Sequence, residues 1–251
     1  PSSSQYYQRF FNLNDGVFGL NDTDDDFSDI IPDYVEGTDI LIVKTAVNEA
    51  GVDIRSSNSR SGDIETVSIN NIEAGTLLFI GDAQGCDLFQ KSNAAGDRSL
   101  KKDATAGVPG NASVNWTRSY PVSARIQRFE STMYYIGLGV DGQPSLKRVT
   151  FNTGVATAPE ELVNGIEDMQ LSYGEDTNND GGVDAYVTAD AVTDWTDVLA
   201  IRVDLLATSL AQNVIDVPQT LPAPWDAMAD PGDGRIRRVF TSNVSIRGSM
   251  Q

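Results

Sequence analysis

The sequence contains no histidine. That removes Ser/His/Asp and Cys/His catalytic arrangements, histidine zinc sites and histidine general bases in one stroke. Cysteine is limited to Cys86, so no disulfide can form within these 251 residues. Basic side chains are scarce as well: 18 against 36 acids, for a formal charge of -18. Such a surface repels a phosphate backbone, which excludes general nucleic-acid binding, and it discourages contact with anionic membrane surfaces. No run of about 18 apolar residues exists to span a bilayer. Neither GxGxxG nor a phosphate loop is present.

What remains is a turn-rich chain with enough apolar residues, 40%, to bury a core. Residues 21–39 (NDTDDDFSDIIPDYVEGTD) carry eight acids and no base, and read as loop. They deliver the chain to ILIVKTA (40–46), a buried strand, followed by strand candidates IETVSI (64–69), GTLLFIG (75–81) and CDLFQK (86–91). Residues 92–122, poor in large apolar groups, read as an excursion from the first sheet. SARIQRFESTMYYIGLG (123–139) reads as two consecutive strand segments, and DGQ (141–143) turns the chain into PSLKRVTF (144–151) as a hairpin.

Pro159, Glu160 and Glu161 suit a first helical turn, with Leu162, Val163 and Ile166 as its contact face. From Met169 the period becomes two, with Met169, Leu171 and Tyr173 on one face. The clearest strand is VLAIRVDLL (198–206); its expected partner is RRVFTSNVSIR (237–247), where Phe240, Val244 and Ile246 share a face. Residues 212–234, with four prolines, are too irregular for a central strand. The sum is an α+β head, mostly antiparallel β-sheet with long irregular insertions. It forms one domain over 1–251, with 1–122 as amino-terminal region and 123–251 as the β-rich remainder. Sheet cover is short, and QYYQRFFNL near the start reads as the end of a helix whose upstream part is missing.

The stretch YGEDTNNDGGVDAY (173–186) is the leading site candidate. Asp176, Asn178 and Asp180 alternate, Gly181 permits a sharp bend, and Asp184 follows. A hard cation such as Ca²⁺ takes six to eight oxygens, and this spacing fills positions 1, 3, 5, 6 and 9 of an EF-hand loop. Position 12 is Val187, so the closing bidentate glutamate is absent; the Gly182 carbonyl, Asp190 or water would complete the shell. The competing reading is a solvated hairpin loop whose Asp and Asn residues stabilise turns. Asp22, Asp24 and Asp26 also alternate, but without the glycine, and read as structural. Paired carboxylates for glycoside hydrolysis cannot be singled out among 36 acids. Trp116, Trp195 and Trp225 could stack on sugars but fit core positions better. The Asn-x-Ser/Thr triplets at Asn111, Asn115 and Asn243 are short enough to arise by chance.

The combination ELVNGIEDMQLSYGEDTNNDGGVDAYV, TDWTDVLAIRVDLLATS and RRVFTSNVSIR resembles a PilW-type minor pilin of the type IV pilus system. NDGVFGLN, PDYVEGTDILIVKTA, GTLLFIGDAQGCDLFQ and RFESTMYYIG extend the resemblance over nearly the whole chain. It implies a type IV pilin-like head packed on an amino-terminal helix, the first half of which, absent here, anchors in the inner membrane. The head would sit in the periplasm before assembly and on the pilus or cell surface after it. Its partners would be other minor pilins, the major pilin and a tip adhesin in a priming or tip complex. The resemblance implies no enzymatic activity and no nucleic acid. The loop after LSYG often resembles a calcium loop in such proteins, which carries over to Asp176, Asn178, Asp180 and Asp184. Cys86 fits a GD-x-x-x-C pattern, its pairing open to an upstream cysteine. The rival reading is a free extracellular carbohydrate-binding or adhesive module.

Overall fold

The computed structural model describes residues 9–12, 15–22, 30–48, 52–58, 63–104, 109–153 and 156–246. The acids Asp24 and Asp26, and most of QYYQRFFNL, lie outside the described residues; Arg9, Phe10 and Phe11 are helical. Fourteen strands are described, arranged in three antiparallel sheets.

The first sheet runs β1 (Val17–Leu20), β2 (Ile40–Asn48), β8 (Arg125–Leu138), β5 (Leu77–Asp82), β6 (Gly85–Gln90). Off this path, β9 (Pro144–Phe151) pairs with β8, and β10 (Glu160–Asn164) pairs with β9. The apolar run of β2 is continuous because both its faces are covered. Ile40 and Ile42 point into a core with Phe10, Met133, Tyr135 and Phe151, while Leu41 packs with Ile136 and the second sheet.

The second sheet is β12 (Ala185–Val187), β11 (Ile166–Glu175), β13 (Val198–Thr208), β14 (Arg237–Ser245). Met169, Leu171 and Tyr173 supply its buried face, as their alternation requires, and β13 pairs with β14 as expected. The sheets approach closely: a Cβ added at Gly19 would lie 1.9 Å from the Tyr173 hydroxyl. A third sheet, β3 (Ile54–Ser57), β4 (Asp63–Asn70), β7 (Asp97–Lys101), packs Ile54, Ile64 and Leu100 against Leu78, Ile80, Phe89 and Ile126 of the first.

Three expectations are corrected. Residues 125–138 form one strand of 14 residues rather than two segments. Its single continuous edge pairs with β2, while its other edge is shared in sequence by β5 and then β9. Residues 160–164 are strand β10, not helix. Pairing sets Glu160 opposite Arg148 with a 2.7 Å ion pair and Glu161 opposite Lys147, a cross-strand match that outweighs the first-turn signals. Gly165, at φ 77° in the left-handed region, then redirects the chain into β11. The 92–122 segment contains β7, and its Trp116 and Tyr120 are buried in the core.

Candidate functional site

The acidic loop is the hairpin connection of β11 and β12, closed by Glu175 opposite Ala185. All four predicted residues are brought into it. Asn179 and Gly181 take left-handed conformations, φ 59° and 84°, and fold the chain tightly enough for side chains to meet main-chain donors. Asp176, only 6% exposed, accepts from the N–H groups of Asp180 at 3.1 Å and Gly181 at 2.8 Å. Asn178 Oδ1 also accepts from Asp180 N, and Asp180 Oδ1 from Gly182 N. Asp184 receives the Thr177 N–H and hydroxyl, both at 2.8 Å, and the Asn178 amide at 2.9 Å. The Thr177 hydroxyl, then its N–H, hold the Asp184 carboxyl below its ordinary pKa. Placed this way, the oxygens serve N–H and O–H donors. Among the described residues no group of three or more acid, histidine or cysteine side chains is arranged to hold a metal ion.

A second polar cluster joins the sheets. Asp39, immediately before β2, is 1% exposed. Its N–H donates to Met169 O at 3.0 Å, and its two carboxylate oxygens receive Leu171 N at 2.6 Å and Asp22 N at 2.8 Å. Burial raises its pKa to about 7, with the charges of Asp22 and Asp168 adding to the rise against those two hydrogen bonds. The only sequence sign of this role is an acid abutting an apolar strand, inside a run where eight acids made it look like loop.

Beyond Asp39 lies an open cleft of about 430 Å³, lined by Thr38, Pro144, Asp168, Leu206, Trp225 and Met228 among others. Trp225 is buried and donates its indole N–H to Asp168 at 2.6 Å. Arg237 grips Glu167 at 2.7 and 2.9 Å and Asp233 at 2.9 and 2.7 Å, which raises its pKa and lowers that of Asp233. Gln219 closes the arrangement by bonding both main-chain groups of Arg237. These contacts hold the proline-rich 212–234 segment to the second sheet. Composition marks that segment as irregular, but nothing local in the sequence pairs Trp225 with Asp168 or Arg237 with Glu167.

The other tryptophans are also packing groups. Trp116 is buried edge-on against Phe89, and Trp195 packs tilted against Phe18 and edge-on against Tyr173. Asn111 bonds both main-chain groups of Gln90 from a buried position. Cys86 is exposed on β6.

Residues 133–248 match the family model described as Type IV Pilus-assembly protein W. Over this stretch the chain is similar to PilW-type pilus-assembly proteins. The matched region starts within β8 and takes in β9, β10 and the whole second sheet, so it contains the acidic loop and the Arg237 anchor. No curated protein and no solved structure matches the chain. PilW is a family of pilus-assembly proteins rather than enzymes, and the match supports involvement of this chain in type IV pilus assembly. No helix among the described residues is long and apolar enough to cross a membrane.

Proposed function

We propose that this chain is the head of a minor pilin that works by packing against other subunits, in a priming or tip complex with further minor pilins, the major pilin and a tip adhesin. An upstream helix would anchor the full protein in the inner membrane with the head in the periplasm. The observation that carries the reading is the family match across the second sheet. The alternative, a carbohydrate-binding or adhesive module, loses two of its three stacking rings, because Trp116 and Trp225 are buried. Deletion of the gene in a strain without a duplicate is expected to reduce surface pili and twitching, and complementation to restore them. Normal piliation in the deletion strain would count against the proposal.

Calcium binding by Asp176, Asn178, Asp180 and Asp184 is a separate proposal with a local purpose, stiffening of the β11–β12 turn. An ion there has to draw Asp184 away from Thr177 and Asn178. The expected affinity is therefore weak, roughly 10⁻⁴–10⁻³ M, as in extracellular modules. Calorimetric titration of metal-free protein should show uptake that an Asp176→Ala, Asp180→Ala double variant loses. Equal uptake by both proteins would place the ion elsewhere, and no uptake at millimolar calcium would leave the hydrogen-bonded turn as the whole role of the loop.

A further inference from the structure

Among the described residues, strand β14 forms one edge of the second sheet, paired with β13 alone. Its pairing runs without a register shift from Arg237 to Ser245, so no bulge twists this edge away. Which main-chain groups face outward follows from two contacts. Ile246 N donates to Leu199 O, so even-numbered residues of this strand turn their N–H and C=O toward β13. Gln219 bonds both the N–H and the C=O of Arg237 from the opposite side, so odd-numbered residues face the outer edge. Gln219 thus caps the edge at Arg237. The main-chain groups of Val239, Thr241, Asn243 and Ser245 continue that edge, and no proline, acid or lysine interrupts the strand to blunt it.

The side chains point to association as well. Phe240 and Val244 lie opposite Leu205 and Ile201, and therefore on the face that packs against the first sheet at β11. Cover runs out along this face: Tyr173 is fully buried and Ile201 is 4% exposed, while Phe240 and Val244 are 58% and 51% exposed.

We infer that β14 pairs with β14 of a second copy, antiparallel about a two-fold axis through Ser242. An isologous edge must match itself, and the register centred on Ser242 does so while setting Phe240 against an apolar side chain. Val239 then faces Ser245 of the second copy and Thr241 faces Asn243, so outward residues meet outward residues and exchange main-chain hydrogen bonds. In the same register Phe240 lies across from Val244 of the second copy on both sides of the axis, an aromatic–β-branched pair. Within the described residues Arg238 meets Ile246, and Arg237, whose partner position lies outside them, is already engaged by Glu167 and Asp233. The two four-stranded sheets become one continuous sheet. The net charge of -18 on each copy opposes this contact, so screening by salt strengthens it.

The test is analytical ultracentrifugation of the purified chain over a range of concentrations at low and at high salt. A monomer–dimer equilibrium that tightens with salt is expected. Asn243→Pro removes an N–H that faces outward and leaves the β13 ladder whole, so it should weaken the dimer roughly tenfold or more. Phe240→Asp changes an exposed side chain and should weaken it likewise, and it decides the matter if circular dichroism finds the proline variant unfolded. A wild type that stays monomeric at every concentration and salt overturns the proposal, including the case in which this edge receives a different subunit. A dimer indifferent to both substitutions overturns it too. Either outcome leaves the role in pilus assembly to be judged by the deletion phenotype.

Discussion

At the scale of single residues, Asp39 couples the stability of this protein to pH. Its carboxyl is raised to about 7 in the folded state by burial and by the nearby acids Asp22 and Asp168. The unfolded chain releases that proton near the ordinary value for aspartate, about 3.9. Between these values the folded state binds more protons than the unfolded one, so this group's contribution is fully present below about 4 and is lost as pH rises through 7. Asp168, raised chiefly by burial, acts in the same direction. Carboxyls held low, such as Asp184 and Asp233, act oppositely, and their contribution is lost only as pH falls below the ordinary carboxylate range. Thermal unfolding should therefore give a melting temperature that declines from pH 5 to pH 8. Asp39→Asn, which presents an amide donor to one of two N–H groups, should lower the melting temperature at pH 5 and flatten that decline. A wild-type melting temperature that rises over this interval would contradict the assignment.

Elements carry a different set of consequences. Gly165 joins β10 to β11 with φ +77°, and a Cβ there would lie 2.8 Å from the Thr208 carbonyl oxygen. Gly165→Val should destabilise by about 2 kcal/mol or more, from left-handed strain and the clash together, read as a lower urea midpoint. Arg237→Ala leaves Glu167 without its cation and Asp233 with the more distant Arg235 at 3.6 Å, a loss on the order of 3 kcal/mol, and should open the 212–234 segment to limited proteolysis before the sheets unfold. Legibility divides at this level. Strands with strict alternation, β11 and β13, can be read directly, because a period of two has no helical equivalent. The EELV stretch misleads because its acids answer Arg148 and Lys147 on another strand, a partnership invisible to local spacing. β8 looks like two strands because only the distribution of its neighbours shows why a 14-residue strand is useful. The acidic loop is found by composition, but the donors its oxygens serve are set by main-chain geometry. Asp39 and Arg237 are passed over for the same reason: their partners lie far away in the chain.

For the whole molecule, the three sheets share their cores, and the start of the described chain is built into one of them. Phe10 is 1% exposed and stacks on Phe151 at 4.0 Å between ring centroids, while Phe11 meets both Phe129 and Phe151. Phe10→Ala should cost about 3–5 kcal/mol and increase binding of an apolar dye, because one face of the first sheet loses its cover. Unchanged unfolding in urea would mean that the sheet is stable without this segment. Strand β8 has a further meaning at this scale. One of its edges is held by β2, and the other by β5 at its beginning and β9 towards its end. A pull directed along β8 must therefore slide it past all these neighbours together, loading many hydrogen bonds in parallel instead of peeling them apart in turn. Such a strand makes the centre of the molecule its most shear-resistant part, so that a load applied along β8 is shared by both flanking sides before the rim opens.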